Sequence, residues 1–347
     1  MRYTWCLVVG IGMICFERAA AWNDSGHRAI ARWAWRELPD RERAYFSKLL
    51  SHHPHYTIYL MAEKPETVSE VEWAFIRAAT WADWLREPRS PSLSESAAQQ
   101  IRAEYHKPIW HYVNLPIIAP DDANRFDRAE IQKRVLQPPV DLRGEPRHII
   151  AALHYTMKRL QAPDLPEDER AIALAWLMHL VGDLHQPLHA TALLSSRMNF
   201  EPPSGDQGGN RIAVKIAADD RRAFRLHSYW DSIPLPHRLD FQAIDQTVLV
   251  WREATPKRLS KEALKLNDFL AWAEESRELA LNAVYRQGTD WIPFKPLPAG
   301  LVELEGLDAP VLSMTYRQQA EDLARQRQII AGQRLTGQLM LVMNPNR

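Results

Sequence analysis

The stretch that most constrains this chain is Ala171–Ala190, AIALAWLMHLVGDLHQPLHA. It reads as a long helix running into a loop at Pro187, which cannot continue a helix. Ile172, Leu174, Trp176, Leu177, Leu180 and Val181 put apolar groups all round it, so the helix is buried. Into that surface the sequence sets His179 and Asp183, four apart and so one turn from each other on one face. Buried, each needs a partner. His185 and His189 follow just past the helix end. Imidazole and carboxylate at this spacing, with another imidazole beyond, suit a divalent metal with nitrogen and oxygen ligands. They suit a hydrogen-bonded pair in a helical core equally well, and this stretch alone does not choose.

The remaining pattern is also helical. Asp24 or Ser25 can cap a helix through His27, Ile30, Ala31, Ala34 and Leu38. Further helices are predicted at about Asp40–Leu50, Ser69–Arg86, Ala129–Gln137, Glu145–Leu160, Glu167–Val181, Phe241–Arg252, Lys261–Tyr285 and Ala309–Met343, with a shorter one from His227. Ser51–Pro65, Glu87–Leu93, Pro116–Asp122, Leu194–Asn210 and Gly288–Gly300 read as loops, and Tyr105–Asn114 as a short extended segment. Arg211–Ile216 alternates like a strand and pairs with Ala223–Leu226 in a small hairpin. No repeat or linker divides the chain. The expected fold is mainly α, one multi-helix domain over residues 22–347 with one minor hairpin.

The first 21 residues read as a signal peptide: Arg2, an apolar run over Tyr3–Phe16, and small residues at Ala19-Ala20-Ala21. Cleavage after Ala21 makes Trp22 the new N-terminus. The run is too short for a comfortable permanent span, so no membrane anchor is expected in the mature chain. Cys15 sits in a poor context for lipidation. Both cysteines, Cys6 and Cys15, lie in this leader, so the mature chain has no disulfide and no thiolate ligand. That fits a bacterial periplasmic or secreted enzyme. The formal net charge of zero argues against holding nucleic acid by bulk charge and leaves room for a local site.

Other ligand-type residues gather meaning together. The Trp22 amine and carbonyl oxygen can chelate a metal in a five-membered ring, and His27 lies one turn into the next helix. Asp83 stands among Trp81, Trp84 and Leu85, with Arg86 three residues on as its obvious partner. His111 lies in WHYVN. His227 and Asp231, in LHSYWDS, repeat the i, i+4 pairing of His179 and Asp183. Each alone has a plain structural reading: a capping histidine, an Asp–Arg pair, a hydrogen-bonded core histidine. Together, Trp22, His27, Asp83, His111, His179, Asp183, His189, His227 and Asp231 are too many for one zinc and enough for about three with open positions. Paired metals can clamp the attacking and leaving oxygens of a phosphate ester, and Arg86 offers a cation for a phosphoryl oxygen.

This pattern resembles the secreted, trinuclear-zinc, single-strand-specific nucleases of fungi, plants and bacteria, relatives of the bacterial zinc-dependent phospholipase C. The matching pieces run in family order: WNDSGHRAIA, WADWLR, WHYVN, HLVGDLHQPLH, the GGN of Gly208–Asn210, and HSYWD. The resemblance implies three Zn2+. Asp83, His111, His179 and Asp183 would hold the first, and Trp22, His27 and a bridging Asp183 the second. His189, His227 and Asp231 would hold the third. It further implies in-line hydrolysis of single-stranded nucleic acid or nucleotides to 5′-phosphates, with Asp83 and Arg86 catalytic and no stable protein partner. Where the fungal enzymes hold a base with an aromatic and an Asp, this chain has Tyr112 and Asn114. Tyr112 still offers a face for stacking, whereas Asn114 alters the hydrogen-bond pattern. Asn210 would fix its loop or touch a phosphate. Two alternatives stand beside the nuclease: a phospholipase C-like phosphodiesterase, against which Asp231 speaks because that family carries Glu there, and a non-enzymatic exported zinc-binding protein. His55 and His185 have no role in this reading.

Overall fold

A computed structural model of the chain describes residues 22–255 and 268–344. Twelve α-helices are seen among them: α1 Asp24–Glu37, α2 Asp40–Ser51, α3 Glu70–Ala78, α4 Trp81–Trp84, α5 Glu95–Tyr105 and α6 Arg128–Leu136, then α7 Ile149–Gln161, α8 Glu167–Leu184, α9 Leu226–Asp231, α10 Phe241–Ala254, α11 Phe269–Leu279 and α12 Met314–Met343. Seven short strands accompany them: β1 Leu115–Ile118, β2 Thr191–Leu194, β3 Ile212–Val214, β4 Phe224–Arg225, β5 Arg286–Gln287, β6 Asp290–Trp291 and β7 Lys295–Pro296. The expected mainly helical fold is what forms. The expected leader at 1–21 and the start of the Lys261–Tyr285 helix lie outside the described residues. None of the described helices is long and apolar enough to cross a membrane.

α8 is the central element. From Ala173 to Leu184 every residue is buried, so its polar pair His179 and Asp183 is sealed inside the protein. Glu167, Asp168 and Glu169 fill its first turn, where carboxylates meet the positive end of the helix dipole. α1, α2, α4, α7 and α12 all pack against it. α1 is clamped between α8 and α12 by glycines. A Cβ at Gly332 of α12 would fall 2.7 Å from Trp33, and one at Gly26 would fall 2.9 Å from the Trp22 Cβ. The main core runs through these contacts and holds Trp22, Trp81, Trp230 and Trp272 fully buried.

The structure differs from the sequence expectations in five respects. The cap of α1 is Asn23, whose side chain accepts from the Gly26 N–H, rather than Asp24 or Ser25. The Ser25 hydroxyl instead accepts from the Leu239 N–H. The predicted Ser69–Arg86 helix breaks at Ala79-Thr80 into α3 and α4. Tyr105–Asn114 is not extended throughout: Pro108–His111 makes a 3-10 turn before the chain straightens. Leu115–Ile118, read partly as loop, is a strand paired in parallel with β2, Leu115 opposite Thr191. Four residues including Pro116 carry too little pattern to announce a strand. The expected hairpin is present as β3 and β4, with β7 added on the far side of β3, so it is one of three small sheets rather than the only one.

Candidate metal centre

The helix break and the parallel pair assemble the site. Breaking the helix frees the Ala79 carbonyl, which accepts from His179 Nδ1 at 2.8 Å. The β1–β2 pairing begins where the Val113 N–H meets the His189 carbonyl at 2.9 Å, and His189 Nδ1 donates to the His111 carbonyl at 2.7 Å. His111 and His189, 78 residues apart, are thereby locked side by side. Three sets of candidate ligands result, each with its ligand atoms within 4.8 Å of one another: Asp83, His111 and His179; His27, His179 and Asp183; His189, His227 and Asp231.

Asp183 faces two ways. Its Oδ1 lies 3.2 Å from His27 Nε2. Its Oδ2 lies 2.9 Å from His111 Nδ1 and 3.2 Å from His179 Nε2. A carboxylate with one oxygen toward each of two donor sets has the geometry of a bridge. Asp83 Oδ1 stands 3.8 Å from His179 Nε2 and 2.9 Å from the Arg86 guanidinium, so the Asp–Arg pair read from the sequence exists and sits at the edge of the first set. Trp22 is fully buried, and the next residue, Asn23, donates its N–H to the Asp231 carbonyl at 2.9 Å. That bond moors Trp22 and Asn23 next to α9.

The third set tests whether a cation fits. His189 and His227 both give their Nδ1–H to backbone carbonyls, of His111 at 2.7 Å and Gly208 at 2.6 Å. In the neutral rings each Nε2 is then a bare lone pair. These two lone pairs face each other at 3.0 Å, with Asp231 oxygens 3.9 and 3.5 Å away. Acceptors converging on acceptors repel unless a cation lies among them. Imidazoles oriented by Nδ1–H to carbonyl bonds are the usual build of metal-ligating histidines. In the other sets, both His27 ring nitrogens, His111 Nε2 and Asp183 Oδ1 are buried without hydrogen bonds. Nitrogen and oxygen donors without sulfur fit zinc or a similar divalent ion of the catalytic kind.

Electrostatics agree with this shape. Burial holds the His27, His189 and His227 imidazoles below their ordinary range and lowers His111 to about 4. All are therefore neutral and ligand-ready at neutral pH. Burial also pulls on His179, but the Asp183 and Asp83 carboxylates outweigh it and raise the ring. Burial would raise Asp183, yet the imidazoles around it hold it well below the usual carboxylate range. Burial pushes Asp231 well above that range, opposed by the hydrogen bond from Gln186 and the charge of Arg86.

The structure also places residues that the sequence left without a role. Gln186 is fully buried and donates to Asp231 Oδ1 at 2.8 Å while accepting from the Leu188 N–H. Nothing in the sequence marked a glutamine at a helix end for that task. His185 turns away from the clusters, giving Nδ1–H to the Val181 carbonyl and Nε2 to Arg334 of α12. His55 accepts from Trp81 Nε1 at 3.0 Å and so braces α4, which carries Asp83. Tyr112 is 40% exposed beside His111, and Asn114 is partly buried two residues on. The Asn210 side chain donates to the Gln207 carbonyl and its own carbonyl accepts from Arg225, which is loop-fixing.

His27 reaches the centre because α1 crosses α8 at Gly182. A Cβ there would lie 2.7 Å from His27 Nδ1 and 2.8 Å from Cε1. Gly182→Ala is therefore expected to push the imidazole off Asp183. Overpacking of this kind costs about 1–3 kcal/mol. Thermal unfolding should show that loss, and metal analysis should show weaker metal binding. A variant matching the wild type in both would mean the ring has room to move.

A helical protein with adjoining histidine–carboxylate clusters and no sulfur ligand among them is a candidate multinuclear metallohydrolase. The model of one family, described as S1/P1 Nuclease, matches residues 22–344, and the chain belongs to that family. It is also 29% identical over 155 residues to Endonuclease 4 of Arabidopsis thaliana, a match covering 40% of this chain. That match spans 47%, about half, of the plant protein's length.

Proposed function

We propose that the chain is an exported, zinc-dependent endonuclease that hydrolyses phosphodiester bonds of single-stranded DNA and RNA to 5′-phosphate products and also removes 3′-phosphates. The observation that carries this reading is Asp183, turned with one oxygen toward His27 and the other toward His111 and His179. Family membership supports the chemistry, and the family match beginning at Trp22 supports cleavage of a signal peptide before that residue. The three zinc sites are those implied by the resemblance: Asp83, His111, His179 and Asp183; Trp22, His27 and Asp183; His189, His227 and Asp231. Bound zinc supplies Lewis acidity, making water nucleophilic near neutral pH and offsetting charge on phosphoryl oxygens.

The protein's own groups do the rest. Asp83 sits at the edge of the centre and pairs with the Arg86 guanidinium, holding it there. The Arg86 guanidinium donates to the phosphoryl oxygens as their charge grows. Tyr112 presents an exposed ring on which an unpaired base stacks, which a duplex cannot offer. Gln186 fixes the orientation of Asp231.

The test is release of 5′-mononucleotides from heat-denatured DNA by zinc-loaded protein beginning at Trp22. Chelator-sensitive release, much faster on denatured than on duplex DNA, is expected. No release from DNA or RNA with all three zincs bound overturns the reading, and phospholipid substrates then come next. Arg86→Ala should lower kcat by about 10²–10³-fold, the loss typical of one donor to a developing charge. An unchanged kcat would remove Arg86 from the catalytic set. N-terminal sequencing of the exported protein checks the Trp22 terminus.

A further inference from the structure

Asp206 stands outside the three clusters and has no exposed surface. Its Oδ1 accepts from the Leu193 N–H at 2.8 Å. Its Oδ2 accepts from the Gly209 N–H at 2.8 Å and the Tyr285 hydroxyl at 2.7 Å. Its backbone joins in: the Asp206 N–H donates to the Leu193 carbonyl, and the Asp206 carbonyl accepts from the Arg211 N–H. A buried carboxylate is costly unless it is fully hydrogen-bonded. These donors are uncharged, and burial pushes the carboxyl up to about 6 against their pull. An apolar side chain here would leave all three donors buried and unpaired, so the carboxylate has a use in holding them together.

What Asp206 ties together gives that use. Leu193 lies on β2, the strand that continues directly from the turn holding His189. Gly208 and Gly209 form the turn that supports His227, both at positive φ (58° and 79°). The Gly208 carbonyl accepts from His227 Nδ1. The turn is wedged tight: a Cβ at Gly208 would lie 2.2 Å from the Leu188 carbonyl oxygen, and one at Gly209 would lie 3.1 Å from the His227 nitrogen. One carboxylate therefore pins the segment behind His189 to the turn behind His227. Their ring nitrogens meet 3.0 Å apart in front of it.

We propose that Asp206 is a positioning residue that sets the spacing of His189 and His227 and so the third cluster's grip on its metal. The proposal rests on reading that cluster as a metal site. It predicts a selective effect. Without the carboxylate the Gly208–Gly209 turn is free to shift, the third site loosens, and the two sites around Asp183 keep their metal. Residues that orient metal ligands from behind are typically worth about 10–100-fold in affinity.

The experiment compares zinc-loaded wild-type protein, Asp206→Ala, Asp206→Asn and His227→Ala, all beginning at Trp22. Zinc per chain is read by elemental analysis, and zinc affinity by competition with a chelator. Asp206→Ala should weaken one site by about 10–100-fold and leave the others unchanged, with kcat falling and KM for single-stranded DNA held. If Asp206→Ala does not fold, Asp206→Asn decides. It keeps the volume and one acceptor, sets an NH2 where either Leu193 or the Tyr285 and Gly209 pair needs an acceptor, and must show the same selective loss. Zinc affinities equal to the wild type overturn the proposal. Uniform weakening of every site overturns it too, since that marks a general structural role. If His227→Ala binds as much zinc as the wild type, the reading of the third cluster fails, and the proposal falls with it.

Discussion

Asp183→Ala is expected to lose metal at two of the three clusters at once and to abolish hydrolysis of denatured DNA. Among the described residues no other side chain stands in both donor sets through separate oxygens, 3.2 Å from His27 on one side and 2.9 Å from His111 on the other. Losing a single electrostatic donor in an active site costs about 10²–10³-fold in rate. A residue on which two metals depend should exceed that. Asp183→Asn separates charge from shape. It fills the same space, but its amide nitrogen must face either His27 or the His111 and His179 pair, so one side meets a donor where it needs an acceptor. Metal analysis should find the His189, His227 and Asp231 site still filled in both variants. Far-UV circular dichroism should find α8 intact, since Ala173–Leu184 stays buried by its apolar residues. A variant that keeps full metal and wild-type turnover would remove Asp183 from the centre.

The α8 stretch carried the fold in its own composition, because a helix apolar on every side has to be internal. The histidine–carboxylate clusters were legible for a related reason. Each His–Asp pair lies at i, i+4 on its own helix, so local spacing reports spatial neighbours. What joins the sets was not legible. The parallel β1–β2 pair that locks His111 beside His189 rests on four-residue strands, one with a proline, and on backbone bonds. The break after Ala78 that frees the Ala79 carbonyl for His179 leaves no mark in a sequence rich in helix formers. α5 was missed because its apolar stripe, Ala97, Ile101 and Tyr105, is narrow, only half-buried and set among exposed polar residues. Gln186 and Asp206 were missed because their partners are backbone groups or residues remote in the chain, visible only once folded. GGN was read as a motif to be matched, whereas its physical reason is positive φ and a carbonyl aimed at His227.

Removing metal should cost the fold as well as the activity. Stripped of cations, His189 and His227 present facing lone pairs at 3.0 Å, and both nitrogens of His27 stay buried without a hydrogen bond. Ligands that bind only the folded state add about 4 kcal/mol when present at a thousandfold over Kd. For a chain of this size, a loss of that order lowers Tm by about 6 °C. Acid should act in the same direction. Imidazoles ordinarily titrate near about 6.5, and burial lowers His111 to about 4 and also depresses His27, His189 and His227. Between those values the unfolded chain binds more protons than the folded one, so stability falls as pH drops through that window. His179, Asp231 and Asp206 are shifted upward and oppose the trend, but burial also lowers His53, His55, His148 and His185, so the depressed imidazoles outnumber them. The measurement is Tm with and without chelator across about pH 4.5–8. Two outcomes are required: a chelator-induced drop that zinc reverses, and a decline of the metal-free Tm on the acid side of about 6.5. A metal-free protein as stable as the loaded one throughout would mean that the buried nitrogens find partners within the fold, and that the clusters are a hydrogen-bonded core rather than a metal centre.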